Sequence, residues 1–188
     1  MGKIDLSDFR HFRQTTDHHC VPACQKMVLD YVCKHFRIKC KPLSITKIAK
    51  ATLTNKYDGT APRAVENVNS LLHRAKPPLK FKLFETSKFP DITSELDAER
   101  PAIVFLNVAE PSATVTIWHA VVITEFNPET YMVTYVDPDE NEPECMKSLE
   151  VGVFTKKWGF QARLIKVLIG TKGQTYIDGD WMPEGDSE

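Results

Sequence analysis

The stretch Gln14-Thr-Thr-Asp-His-His-Cys20-Val-Pro-Ala-Cys24-Gln-Lys-Met27-Val28-Leu-Asp-Tyr31-Val32 constrains this chain most. Its apolar residues fall at 24, 27, 28, 31 and 32, the stripe of a helix buried along one face. The spacing predicts a helix from about 20 to 36, with Cys20 at its mouth and Pro22 in its first turn, where a missing N–H costs no intrahelical bond. A thiol at a helix N-terminus faces unpaired N–H donors and the positive end of the macrodipole, which favours the thiolate. Cys20 is therefore a candidate nucleophile.

After that helix, the segment Lys39-Cys-Lys-Pro42 marks a stop. Ser44 is placed to cap a second helix from 45 to about 52, and Asn55-Lys-Tyr-Asp58-Gly59 reads as a turn. A third helix opens near Thr60 with Pro62 in its first turn, burying Val65, Val68, Leu71 and Leu72. Pro77-Pro78 then ends the helical half. Beyond it, strands are expected at Leu79–Phe84, Ala102–Leu106, Val115–Ile123, Tyr131–Val136 and Ala162–Ile169, with a short helix over Phe89–Asp97. The segment from Asp139 to Phe160 reads as a loop followed by a small helix or irregular packing. Helices first and strands afterwards indicate an α+β domain with an antiparallel sheet over residues 1–170. Residues 171–188 form an acidic tail, expected to be mobile or a docking extension.

The 188 residues carry 24 basic and 25 acidic side chains, a balance that argues against an electrostatic partner such as nucleic acid. No apolar run approaches the roughly 20 residues of a membrane span, and the N-terminus lacks the apolar core of a signal peptide. These features set the expectation of a cytoplasmic protein without membrane insertion. Five cysteines, at 20, 24, 33, 40 and 145, are odd in number and clustered early, which suits reduced thiols better than a disulfide framework. No CxxC pair is present, so His18, His19, Cys20, Cys24, Cys33 and Cys40 make a poor metal set, and neither metal nor cofactor is expected.

Partners for the thiol come from the second half. The strands around Trp118-His119 and Val136-Asp137 flank Asn127-Pro128-Glu129-Thr130, strong hairpin chemistry. The hairpin brings His119 and Asp137 to the same end. For Asp137 to bond the imidazole, both side chains must share a face, and the loop should hold three or five residues. A carboxylate that orients an imidazole, a thiol at a helix start and an upstream amide form a single chemical set.

The order Gln14, Cys20 at a helix start with Pro22 and Ala23, then Trp118-His119, then Val136-Asp137-Pro138 resembles the papain-like cysteine peptidases. It is most similar to the bacteriocin-processing, double-glycine-leader branch and its stand-alone relatives. Leu43-Ser44 with Ile48-Ala49, Gly59-Thr60, Arg100-Pro101 before a strand, and Phe154 with Trp158 extend the likeness over nearly the whole domain. The resemblance implies a papain-like fold, its N-terminal helical half packed through the nucleophile helix on a C-terminal antiparallel sheet. It also implies Cys20 as nucleophile, His119 as general base, Asp137 as its orienter and Gln14 as oxyanion-hole donor. His19-Cys20-Val21 stands where many relatives carry Asp-Cys-Gly, giving a bulkier rim, so His19, Val21 and Trp118 are candidate substrate contacts.

The implied activity is a cysteine peptidase or isopeptidase acting on a peptide or protein substrate. An acyl or γ-glutamyl transferase on the same scaffold and a non-catalytic peptide-binding module are the alternatives. No ATP-binding cassette lies within the 188 residues, so any transporter would be a partner in trans.

Overall fold

A computed structural model describes residues 2–110, 112–159, 161–171, 173–177 and 180–183, with side chains described through residue 174. The predicted helix α1 runs Cys20–His35. All five residues of its stripe are at most 1% exposed, and Val21, Leu29 and Gln25 are buried too. It is thus the central helix, not a half-exposed one. Buried Gln25 places its Nε2 donor on the Val65 carbonyl at 2.9 Å, which answers the cost of an unpaired buried amide. Helix α2, Ile45–Ala51, starts where expected, with the Ser44 hydroxyl accepting from the Lys47 N–H.

The third helix, Pro62–Leu71, is a 3-10 helix and not an α-helix. Its three-residue period puts Val65 and Val68 above one another in the core. Its polar side chains also serve strand β2 (Leu79–Phe84). Asn69 exchanges two 2.8 Å bonds with the Phe81 backbone, and the Glu66 carboxylate accepts from Leu83 N–H at 2.9 Å. Since β2 is an end strand of the sheet, these side chains occupy backbone groups that would otherwise lie open.

The main sheet is antiparallel, in the order β2-β7-β3-β4-β5-β6. Strand β3 spans Ala102–Asn107, β4 Trp118–Asn127, β5 Met132–Val136, β6 Met146–Glu150 and β7 Leu164–Ile169. A short β1, Gly2–Lys3, pairs with β4 at Gly2↔Phe126. The predicted Val115–Ile123 strand therefore begins three residues later and runs longer. Residues 102–106 and 120–124 are buried without alternation, as strands covered on both faces must be. Helix α1 packs on β4; α3, Phe89–Asp97, lies against β1 and β4; and α4, Val151–Trp158, packs on β3. Phe154 of α4 meets Phe89 and Trp158 at ring-centroid distances of 6.0 and 5.8 Å.

Sequence reading missed two strands of the main sheet. β1 is too short to show a period. β6 falls in the segment expected as a loop, because it is an edge strand alternating exposed with half-buried residues and offers little apolar signal. In the tail, Gln174–Ile177 (β8) and Asp180–Pro183 (β9) pair as a separate antiparallel hairpin. The rest of the expected acidic extension, 172, 178–179 and 184–188, lies outside the described residues.

The expectation of reduced thiols fails at one pair: Cys33 and Cys40 form a disulfide. Cys33 sits in the last turns of α1 and Cys40 just beyond its end, so the chain's reversal after the helix brings them together.

Candidate active site

Cys20 is the first residue of α1 and partly exposed, while Cys24, one turn on, is fully buried and donates its S–H to the Ala120 carbonyl at 3.3 Å. The two thiols are thus separated by environment. One faces the surface end of the helix and the other is part of the core. The N-cap residue, His19, makes no side-chain cap bond to the helix. Its Nδ1 lies 2.6 Å from the Thr15 hydroxyl, and burial, followed by the nearby His18, lowers its basicity.

His119 is the second residue of β4 and Asp137 follows the last residue of β5. The imidazole Nε2 lies 2.6 Å from Asp137 Oδ1, and both side chains are largely buried. The predicted contact thus forms, by a route different from the one expected. The β4–β5 loop leaves four residues between Asn127 and Met132, neither three nor five. Continued at that register, Asp137 would face Val122 and turn away from His119. A β-bulge between Ile123 and Glu125 resets the ladder to Val122↔Val136. Asp137 then falls opposite Val121, two residues from His119 and on its face.

Burial opposes charge on His119, but the hydrogen bond it donates to Asp137 and the interaction with the Cys20 thiol outweigh it and raise the imidazole to about 9. Burial likewise works against the Asp137 carboxylate; the bonds from His119 and from the Asp139 backbone N–H prevail and hold it well below the usual carboxylate range. Since Asp137 takes Nε2, Nδ1 is the nitrogen left for Cys20. The second carboxylate oxygen, Oδ2, accepts from Lys147 Nζ at 2.9 Å.

Gln14 lies on the Asp137 side of this group. Its backbone N–H bonds to the Pro138 carbonyl at 2.7 Å and its Nε2 donates to Asp139 Oδ1 at 2.9 Å. Arg13 beside it donates to the Asp139 carbonyl at 3.1 Å. A carboxylate can only accept here, so the Asp139 contact fixes the amino end of the Gln14 amide. One amide N–H is held and the second is not consumed by that bond.

The candidate substrate contacts divide. Val21 is 1% exposed and belongs to the core, because the second position of α1 turns inward; it cannot touch a substrate. Trp118 stays 36% exposed beside His119, whereas Trp158 is 3% exposed and donates its indole N–H to the Arg163 carbonyl. Gly159 ends α4 at φ +72°, and a Cβ there would approach the Trp118 ring to 3.5 Å. Of the thiols and imidazoles weighed as a metal set, Cys33 and Cys40 are bonded to each other.

The profile of the Peptidase_C39-like family matches residues 6–163. The chain belongs to the Peptidase_C39-like family. A crystal structure of a candidate C39-like peptidase from Bacillus anthracis shares the fold, with a TM-score of 0.65 at 14% identity, covering 90% of this chain and 99% of that one. No curated protein matches. The mixed helical and antiparallel architecture is thus the α+β, papain-like fold of this family, and membership brings cysteine peptidase chemistry as the activity class. Lys147 and Asp139 of this C39-like protein escaped the sequence reading, since both sit in a polar segment with no periodicity to place them.

Proposed function

We propose that the protein is a cysteine peptidase or isopeptidase that cleaves a peptide amide through Cys20, His119 and Asp137. The observation that carries this reading is the 2.6 Å His119–Asp137 contact, with the imidazole raised to about 9 beside the thiol at the start of α1. At neutral pH His119 is the imidazolium, and in the reaction it carries the proton that the attacking Cys20 sulfur gives up. The Cys20 sulfur attacks the amide carbon, and the carbonyl oxygen becomes the oxyanion. The second amide N–H of Gln14, beside the one held by Asp139, and the Cys20 backbone N–H are the donors suited to hold it. His119 passes its proton to the departing amine as the C–N bond breaks, leaving a thioester. It then takes a proton from water, whose oxygen displaces the thiolate and releases the acid.

The test is hydrolysis of a diverse peptide mixture followed by mass spectrometry, comparing wild type with Cys20→Ser. New termini generated by the wild type alone support the reading. Condensation products in place of hydrolysis products would assign a transferase, and identical spectra would leave a peptide-binding module.

A further inference from the structure

Across the adjacent strands β4, β5 and β6, the side chains of His119, of Asp137 just past the end of β5, and of Lys147 form a continuous line on one face. β6 pairs with β5 at Tyr135↔Lys147, so Lys147 and Asp137 are diagonal neighbours on that face. Lys147 Nζ donates to Asp137 Oδ2 at 2.9 Å and to Glu140 Oε1 at 3.0 Å. His119 Nε2 and the Asp139 N–H occupy the other oxygen, Oδ1, at 2.6 and 3.0 Å. Three donors from three different segments therefore hold one carboxylate. We infer that Lys147 is a positioning residue for the imidazole, locking the rotation of Asp137 so that Oδ1 stays on His119 Nε2. The inference rests on the Cys20–His119–Asp137 reading above and adds a fourth residue to it.

The chemistry favours this assignment over an incidental surface ion pair. A carboxylate held through one oxygen alone, as Asp137 would be by His119 and the Asp139 N–H on Oδ1, can still pivot about that oxygen. Fixing the second oxygen removes that freedom, and orientation is the service an aspartate gives a catalytic imidazole. Lys147 is itself tethered on its other side by Glu140, which keeps the ammonium from swinging into solvent. Burial works to lower its basicity, but the two carboxylates outweigh this and raise it, so it stays charged as the site titrates. Among the described residues, the other titratable groups in or beside this cluster include Asp139, Cys20 and Cys24 from α1, Tyr135 from β5, and Cys145, with Glu142 and Glu144 acting on Cys145.

Positioning and simple charge predict opposite signs. Lys147 and the imidazolium repel, so removing the ammonium with the geometry unchanged would raise the His119 titration midpoint. Releasing Asp137 to rotate would lower it. The full-length protein, labelled in its histidines for NMR, is titrated as wild type, Lys147→Met, Lys147→Arg and His119→Ala, and Cys20 alkylation by iodoacetamide is followed at pH 6 by peptide mapping. Lys147 is about a third exposed on an edge strand, so its truncation spares the core; Lys147→Gln replaces the methionine variant should that fail to fold. The expected result is a His119 midpoint lower by about one pH unit or more and alkylation slowed about tenfold in Lys147→Met, both restored in Lys147→Arg. An unchanged or raised midpoint with unchanged alkylation would overturn the assignment of Lys147. If wild type and His119→Ala alkylate Cys20 identically, the triad reading itself falls, and the inference with it.

Discussion

His119 carries the pH dependence of the site. Its folded value of about 9 stands above the ordinary 6.5, so protonation of the folded state is favoured. The stability this contributes is complete below about 6.5 and lost as pH rises through about 9. Asp137 acts with the opposite sign: its contribution is present above the ordinary 3.8 and lost as pH falls through its lowered value. The melting temperature of wild type should therefore fall between pH 6.5 and 9.5, and that of His119→Ala should fall less, as differential scanning fluorimetry can measure. Parallel curves would contradict the coupling. Activity should have an alkaline limb near 9, where the proton for the leaving amine disappears. Gln14→Ala should lower kcat by about 10²–10³ with little change in KM, the loss typical of one oxyanion donor. A change confined to KM would instead assign Gln14 to substrate binding.

At the scale of elements, α4 and the bulge in β4 matter most. Phe154 is fully buried between Phe89 and Trp158. Phe154→Ala should cost about 3–5 kcal/mol in urea unfolding through the cavity it leaves, whereas exposed Val153→Ala should stay within about 0.5 kcal/mol. Equal costs would show that α4 packs otherwise. The helices α1, α2 and α3 and the strands β2, β3, β5 and β7 were legible because each carries a clear apolar period or a capping residue. His119 and Asp137 could be paired because a hairpin has only two parities. The bulge escaped this reasoning, since one extra residue leaves no compositional mark. Edge strand β6 escaped because a half-solvated strand needs few apolar residues, and Lys147 went with it. Val21 was misassigned because the first turn of α1 is buried more completely than its stripe implied.

For the whole molecule, the family profile spans residues 6–163, and the helix that bears Cys20 is also the centre of the core, so site and fold stand on the same element. The Cys33–Cys40 disulfide closes a seven-residue separation at the far end of that helix. Titration of thiols in denaturant without reductant should count three, at Cys20, Cys24 and Cys145, and five after reduction; five throughout would contradict the bridge. Its reduction should cost about 2 kcal/mol, as expected for a short loop. Clustering of cysteines in sequence had suggested the opposite, because spacing alone does not reveal that the chain turns back after the helix. The most direct test of the account is the pH dependence of iodoacetamide alkylation, resolved by peptide mapping, in wild type and His119→Ala. A thiolate–imidazolium pair predicts that Cys20 labels ahead of Cys24 and Cys145 below neutral pH and loses that lead in the variant. If Cys20 reacts no faster than Cys145 in the wild type, or keeps its lead without His119, the pair does not exist.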